Sequence, residues 1–421
     1  MDKGDNYEVK DIKSAEQGRL NIEWAEMQMG ALLKVRERFA VEKPLKGTKV
    51  GICLHITKET AVLIKTLMEG GADVAACSCN PLSTQDDVAA ALAKDGLKIY
   101  AYKGETKEDY YRYLNKVIEF KPQITIDDGC DLVSEIHKNH QDLIPQIIGG
   151  CEETTTGVIR LKAMEKDKAL KYPIVAVNES GTKHLMDNIK GTGQSTIDGI
   201  LRSTNVLIAG NNFVVCGYGD CGKGLAKRAQ GMDANVIVTE INPFRALQAA
   251  MDGFRVMPLK EAAKIGNIFV TVTGNKNVID VEHINLMKDG AILANSGHFD
   301  AEININGLKK VAKGLRKIRQ FMDEFTLNNG KVVFILGEAR LINLAAGEGH
   351  PSSIMAMSFC NQAFACEFLV KNNGNLQPKV YVLSPEKDDE IARLQLKAMN
   401  VEIDILTEEQ KEYLKNWKEG T

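Results

Sequence analysis

From Lys49 onward the chain alternates between short apolar runs and longer amphipathic stretches. The apolar runs predict strands at 50–54, 74–79, 97–100 and 124–126, and the stretches between them predict helices at 59–68, 85–93 and 107–118. Ahead of these, Ile12, Leu20, Ile22, Ala25, Met29, Leu32 and Leu33 recur at roughly helical spacing and predict one helix over 12–40. Strand–helix alternation of this kind argues a doubly wound parallel sheet, which binds ligands beyond the carboxyl ends of its strands. That rule gathers His55, Thr57, Glu59, Cys79, Asn80, Asp127, Asp128 and Asp131 around one crevice. Next comes Glu152-Glu153-Thr154-Thr155-Thr156-Gly157, rich in hydroxyls and without a regular period. A strand at 174–177 then leads into Asn178 to Asn188, where Lys183 and Asp187 would share one face of a helix. Such a pair is usually a solvated surface ion pair, but here it sits in a polar cluster between two sheet patterns.

A helix over 195–204 opens a second alternating region, organised around Gly217-Tyr218-Gly219-Asp220-Cys221-Gly222. An apolar strand precedes these glycines, a helix pattern follows, and the next strand ends at Glu240, 18 residues beyond Gly222. The first glycine permits a tight bend, the second lets backbone approach a pyrophosphate, and the third packs helix on strand. The acid at about 20 residues suits a ribose 2′-hydroxyl and repels a 2′-phosphate, which points to NAD rather than NADP, although Arg245 lies nearby. Strands at 268–271, 291–294 and 332–336 end in Thr273-Gly274-Asn275, Asn295-Ser296-Gly297-His298-Phe299-Asp300 and Gly337-Glu338-Ala339-Arg340, each an edge where a cofactor could be touched. The glycine-rich run from Asn343 to Pro351 reads as a hinge, followed by an apolar helix over 354–369, a short strand and a charged C-terminal tail.

The composition narrows the classes. A chain of 421 residues, 44% hydrophobic and 26% charged, suits an ordinary soluble protein of two or three domains. The net charge of −3 leaves no electrostatic footprint for nucleic acid or an anionic membrane. The acidic start at Met1-Asp2-Lys3 is unlike a signal peptide, and no apolar run approaches the ~18 residues of a membrane span. Nine scattered cysteines lack zinc-site spacing and read as reduced thiols of a cytoplasmic protein. Of the seven histidines, His55, His298 and His350 fall on predicted loops beside polar clusters, where acid–base work and a structural role compete evenly.

These motifs, in this order and along nearly the whole chain, resemble the S-adenosylhomocysteine hydrolase family. The resemblance rests on Leu54-His55 with Thr57 and Glu59-Thr60-Ala61-Val62-Leu63, Ser83-Thr84-Gln85-Asp86, Asp127-Asp128-Gly129 and Glu152 to Val158. It continues through Gly217 to Asp220, Gly297-His298-Phe299-Asp300 and Gly349-His350-Pro351-Ser352. It implies an α/β chain of two doubly wound, Rossmann-like domains. The first part of a substrate domain would cover 1–185, an NAD domain 186–347, a return segment of the substrate domain 348–375, and a C-terminal oligomerisation tail 376–421.

The family's chemistry borrows a hydride. Tightly held NAD⁺ oxidises the ribose 3′-hydroxyl, the C4′ hydrogen becomes acidic, homocysteine leaves from C5′, water adds, and the ketone is reduced again.

By resemblance, Lys183 beside Asp187 and Asn178 takes the 3′-hydroxyl proton, with a nearby cation and low dielectric lowering its pKa. Asp128 is the base at C4′, His55 handles water and thiolate near C5′, and His298 gates the homocysteine tail. Glu153 grips the ribose hydroxyls, Thr57 and Glu59 face the purine, and Asn80, Leu341 and His350 complete the substrate contacts. Thr154, Thr155, Thr156, Asn188, Gly217, Gly219, Asp220, Gly222, Glu240, Thr273, Gly297, His298 and Asn343 match the NAD contacts. No metal is required, though Gln85 and the His350 loop resemble a monovalent-cation site of some members. A homotetramer is implied, with no nucleic-acid or membrane partner.

Four departures from the family pattern stand out. Thr192 stands where many relatives have a cysteine, Arg245 where an asparagine often assists the ribose acid, and Glu348 where some members have a methionine near the purine. The end at Trp417-Lys418-Glu419-Gly420-Thr421 differs from the basic-aromatic tail that some relatives lend to a neighbour's NAD. The substrate is then S-adenosylhomocysteine or, as the first rival, S-inosylhomocysteine. A non-catalytic NAD-binding paralogue should have lost Lys183, Asp128, His55 or His298, and a plain dehydrogenase would release NADH.

Overall fold

The computed structural model describes residues 1–417; positions 418–421 of the C-terminal segment lie outside the described residues. Two sheets carry the α/β architecture. The first runs Tyr7–Val9, Lys98–Tyr100, Asp73–Cys77, Lys49–Cys53, Ile124–Asp127, Gly149–Glu152, Ile174–Ala176 and Val380–Tyr381, all parallel, with Asp2–Gly4 antiparallel at one edge. The second runs Arg255–Val256, Asn235–Thr239, Asn212–Cys216, Ile268–Thr271, Ala291–Asn295 and Val332–Leu336 in parallel, closed by the antiparallel strands Met322–Leu327 and Ala312–Arg319.

The central strands are buried on both faces, as the neighbours Ile52 and Cys53, Thr125 and Ile126, and Val214 and Val215 show, because helices cover each side. The strand order reverses between Lys49–Cys53 and Ile124–Asp127 in one sheet, and between Asn212–Cys216 and Ile268–Thr271 in the other. Crevices open at such reversals. His55 and Asp128 sit at the first, Gly217 and Thr273 at the second.

Several elements differ from the sequence expectation. The single helix over 12–40 is two, Ala15–Gln28 and Gly30–Glu42, broken at the buried Met29. The break lets Gly30 approach the C-terminal part of the chain, where a Cβ on it would lie 2.9 Å from Ala398 Cβ. The hydroxyl-rich stretch is regular after all: Gly149–Glu152 is a strand and Thr155–Lys166 a helix. The hairpin Ala312–Leu327 was not foreseen, since its first strand is almost wholly exposed and carries no apolar alternation.

The segment from 376 packs on the body as far as about residue 400, whereas 401–417 are almost wholly exposed and the helix Glu408–Lys415 buries no residue. Val380 and Tyr381 pair with Ile174 and Val175, and the helix Pro385–Ala398 buries Ile391. Ser352–Lys371 is long and apolar enough to cross a membrane, but 72% of its apolar window is buried, with Ala356, Phe359, Ala363 and Phe364 in the core of the first sheet's unit.

Candidate active site

A cavity of about 1110 Å³ lies where the two crevices face each other. Its substrate side is lined by His55, Thr57, Glu59, Asp128, Glu153, Lys183, Asp187, His298, Leu341 and His350. Its cofactor side is lined by Thr154, Thr155, Thr156, Asn188, Gly217, Gly219, Asp220, Glu240, Thr273, Gly297 and Asn343. Three expected residues stand behind the wall instead. Asn80 turns its side chain onto the Leu82 amide (2.9 Å), Asn178 supports Lys183, and Gly222 packs beneath the glycine turn.

The chain returns to this cavity as a π-helix, His184–Gly191, which projects Asp187 and Asn188 inward after Lys183. Lys183 Nζ donates to Asn188 Oδ1 (3.0 Å) and Asn178 Oδ1 (3.2 Å) and pairs with Asp187 (3.2 Å) and Glu153 (3.7 Å). The surface ion-pair reading does not apply, since Lys183 and Asp187 side chains are each 4% exposed. Carboxylates, not the expected cation, lead the charges around Lys183. Burial disfavours the ammonium, but the carboxylates of Asp187, Glu153 and Asp128 outweigh it and hold Lys183 above its usual pKa. Lys183 is therefore cationic in the free protein.

Burial pushes Asp187 upward as well, yet Lys183 and His350, whose Nδ1 is 2.5 Å away, hold it well below the carboxylate range. Glu153 goes the other way: burial raises it to about 7 despite Lys183 and hydrogen bonds from Ser358 and Gln362.

His55 bridges the Asp128 carboxylate through Nε2 (3.2 Å) and faces Ser83 Oγ (2.7 Å) and Cys79 Sγ (3.2 Å) through Nδ1. Burial, with His298 and His350 nearby, lowers it to about 4 although Asp128 opposes. His298 Nδ1 lies 3.5 Å from the other Asp128 oxygen and stacks over Gly129, where a Cβ would collide with the ring at 2.4 Å. The ligand atoms of His55, Asp128 and His298 fall within 4.8 Å of one another, close enough to pass a proton or to hold a metal ion.

At the other end, Ser352 Oγ donates to Glu59 (2.6 Å), and Lys58 Nζ pairs with both Glu59 (3.4 Å) and Glu348 (3.1 Å). Glu348 also meets Arg202 (3.0 Å). Gln85, expected at a cation site, accepts the Lys58 N–H (2.9 Å) and donates to the Glu348 carbonyl (3.3 Å), so its amide serves as a tie to the His350 loop.

The dinucleotide side fits its ligand. Gly217 holds φ +109°, a region costly for a side chain, and a Cβ on Gly222 would sit 2.1 Å from the Gly217 carbonyl. A Cβ on Gly219 would meet only Arg245 Nη1 at 3.7 Å, leaving open backbone for a phosphate at the start of the helix Asp220–Gln230. The Glu240 carboxylate is fixed by the amides of Tyr218, Ile241 and Asn242 (2.7, 2.7 and 2.9 Å). Thr156 Oγ1 and Asn343 Oδ1 are buried without a protein partner, which suits atoms awaiting a ligand.

Sequence reasoning missed the supports. Ser358 and Gln362, four apart on an apolar helix, were a legible signal, because polar side chains repeated on one face of a buried helix need a partner. Glu302, which accepts from Thr273 N, Thr273 Oγ1 and Gly274 N, gave none.

Fold and site together define an NAD-dependent enzyme in which a dinucleotide-binding sheet and an acid–base shell share one cavity. Residues 6–142 match the S-adenosyl-L-homocysteine hydrolase family, and residues 188–349 match the S-adenosyl-L-homocysteine hydrolase, NAD binding domain. The chain is 57% identical over 416 residues to an adenosylhomocysteinase of Sulfolobus acidocaldarius, covering 99% of this chain and 100% of the relative. It is also 57% identical over 415 residues to an S-inosyl-L-homocysteine hydrolase of Methanocaldococcus jannaschii, covering 99% and 100%. An Aquifex aeolicus adenosylhomocysteinase matches at 57% over 416 residues, covering 99% and 100%. The chain belongs to the S-adenosyl-L-homocysteine hydrolase family; it is a hydrolase that uses NAD.

Proposed function

We propose that the enzyme interconverts S-adenosyl-L-homocysteine and water with adenosine and L-homocysteine. The observation that carries the choice of purine is the row of acceptors at the Thr57 end of the cavity. Glu59 and Glu348 flank one Lys58 ammonium, which both carboxylates already engage, so acceptors outnumber free donors where a base edge would fit. Adenine presents an amino donor to such an edge, whereas hypoxanthine would bring its carbonyl oxygen against a carboxylate. Steady-state thiol release from the two nucleosidyl-homocysteines tests this. A higher kcat/KM for the inosyl compound, the substrate in the name of the M. jannaschii relative, would refute it.

Bound NAD⁺ supplies the hydride acceptor for C3′ and later the donor that restores it. Lys183 Nζ meets O3′ and steadies negative charge there. It accepts the hydroxyl proton once it has passed one of its own to Glu153, 3.7 Å away and raised to about 7. Asp128 removes the C4′ proton. His55, neutral and hydrogen-bonded to Asp128, serves the departing thiolate and the incoming water at C5′. His298 covers the amino-acid tail.

We extend the reading to a homotetramer in the cytoplasm. Its support is an apolar surface on the NAD side, Ile241, Phe244 and Met251, exposed by 94%, 76% and 79%, and nine cysteines that are all unpaired.

A further inference from the structure

We infer that Asp388, on the helix Pro385–Ala398, is a positioning residue for Lys183; the inference rests on the assignment of Lys183 to O3′. Lys183 closes the short turn Gly181–Lys183, which precedes the π-helix bearing Asp187 and Asn188. The first amides of such a turn have no partner within it. Here Asp388 supplies one from about 200 residues away: Oδ2 accepts from Gly181 N (2.6 Å) and Oδ1 from Thr182 N (3.0 Å), while the Thr182 hydroxyl also donates to Oδ1.

Thr182 is buried, and its Oγ1 in turn accepts from Asn361 Nδ2 (2.9 Å) on Ser352–Lys371. The same helix holds Glu153 through Ser358 and Gln362. Lys183 and its carboxylate partner are thus fixed by two helices that follow the dinucleotide domain in the chain. Gly181 leaves room for the contact, since a Cβ there would lie 2.8 Å from Asp388 Oδ2. Water has little access to replace the carboxylate on the Thr182 side, so its loss would free the turn and shift Nζ relative to Asn188 and Asp187.

The test compares Asp388→Ala, Asp388→Asn, Gly181→Ala, the Gly181→Ala/Asp388→Ala double variant and Lys183→Ala as NAD-loaded enzymes. Asp388→Ala should lower kcat roughly 10- to 100-fold, with KM changed by less than about threefold, as displacement of a positioned group does. Amide hydrogen exchange should quicken locally at 181–184, and NAD released on denaturation should match the wild type. Asp388→Asn, which keeps one acceptor oxygen, should recover part of the rate. Gly181→Ala pushes the carboxylate away from the other side. It should reproduce the defect, and the double variant should be no worse than either single. Should Asp388→Ala fail to fold, Gly181→Ala and Asp388→Asn carry the comparison alone.

Unchanged kcat with unchanged exchange overturns the inference, as does a rate loss explained by lost NAD, or additive single effects. A Lys183→Ala enzyme that turns over normally would instead remove the Lys183 assignment itself. An inactive Lys183→Ala beside a fully active Asp388→Ala would sink only the role of Asp388.

Discussion

His55 should remain uncharged down to about pH 4, and the stability of the protein should record it. The ring is held between a carboxylate at Nε2 and two groups able to donate at Nδ1, the Ser83 hydroxyl and the Cys79 thiol. A carboxylate only accepts, so the neutral ring carries its proton on Nε2. Burial lowers its pKa from 6.5 to about 4, against the pull of Asp128 and with the help of His298 and His350. An unfolded chain takes up this proton near pH 6.5, whereas the folded chain does so only near pH 4. The contribution of His55 to stability is therefore complete above pH 6.5 and is lost as the pH falls through that window.

At about 1.4 kcal/mol per unit the loss amounts to about 3 kcal/mol. Urea unfolding of the NAD-loaded protein and of His55→Asn, from pH 4 to pH 8, reads it, because titrating groups remote from His55 cancel in the difference. The gap between the two proteins should hold steady above about pH 7 and shrink or invert by about 3 kcal/mol towards pH 4. Parallel curves, or a ring resonance that titrates near 6.5, would refute the argument. They would also return His55 to catalysis as a cation instead of a neutral proton acceptor.

Two further outcomes follow from the same geometry. Lys183→Met and Asp187→Asn, each stranding a buried partner, should cost about 3–5 kcal/mol apiece, while the double variant should cost much less than their sum; additive costs in denaturant unfolding would mean that the pair is not coupled. Asp128→Asn should still oxidise C3′ but no longer exchange the C4′ hydrogen with deuterium from solvent, and retained exchange by mass spectrometry would clear Asp128 of acting as the base.

What could be read from the sequence was whatever depends on neighbours along the chain. The glycine turn at Gly217 and the acid at Glu240 are joined by one strand–helix–strand unit, so their spacing survives folding. The crevice around His55 and Asp128 was legible because those residues end adjacent strands at a reversal of strand order. The environment of Lys183 was not legible. Whether its pKa falls or rises depends on Glu153 and Asp128, 30 and 55 residues away, and on carboxylates outnumbering any cation there. Asn80 was misplaced for the opposite reason, since a short side chain in a loop found its own backbone first. The π-helix was hidden too: Lys183 and Asp187 are four apart in any helix, but the wider coil that turns Asn188 inward leaves no mark on hydrophobic periodicity.

The unequal treatment of the carboxylates is what makes one cavity serve several proton transfers. Asp187 is held ionised by Lys183 and His350, and Glu153 is raised by burial to about 7. Behind Asp128, burial raises Asp127 to about 7 and Glu152 well above the carboxylate range, where the amides of Gly129 and Thr154 hold only one of its oxygens. Four equally acidic groups in so small a space would repel one another and leave nothing to receive a proton. Spread apart in affinity, they keep Glu152 neutral behind the reacting ribose and still keep a permanent anion beside Lys183. That anion secures Lys183 as a cation before substrate arrives. The neighbouring carboxyl with intermediate affinity, Glu153, is where its proton can go when O3′ has to give one up.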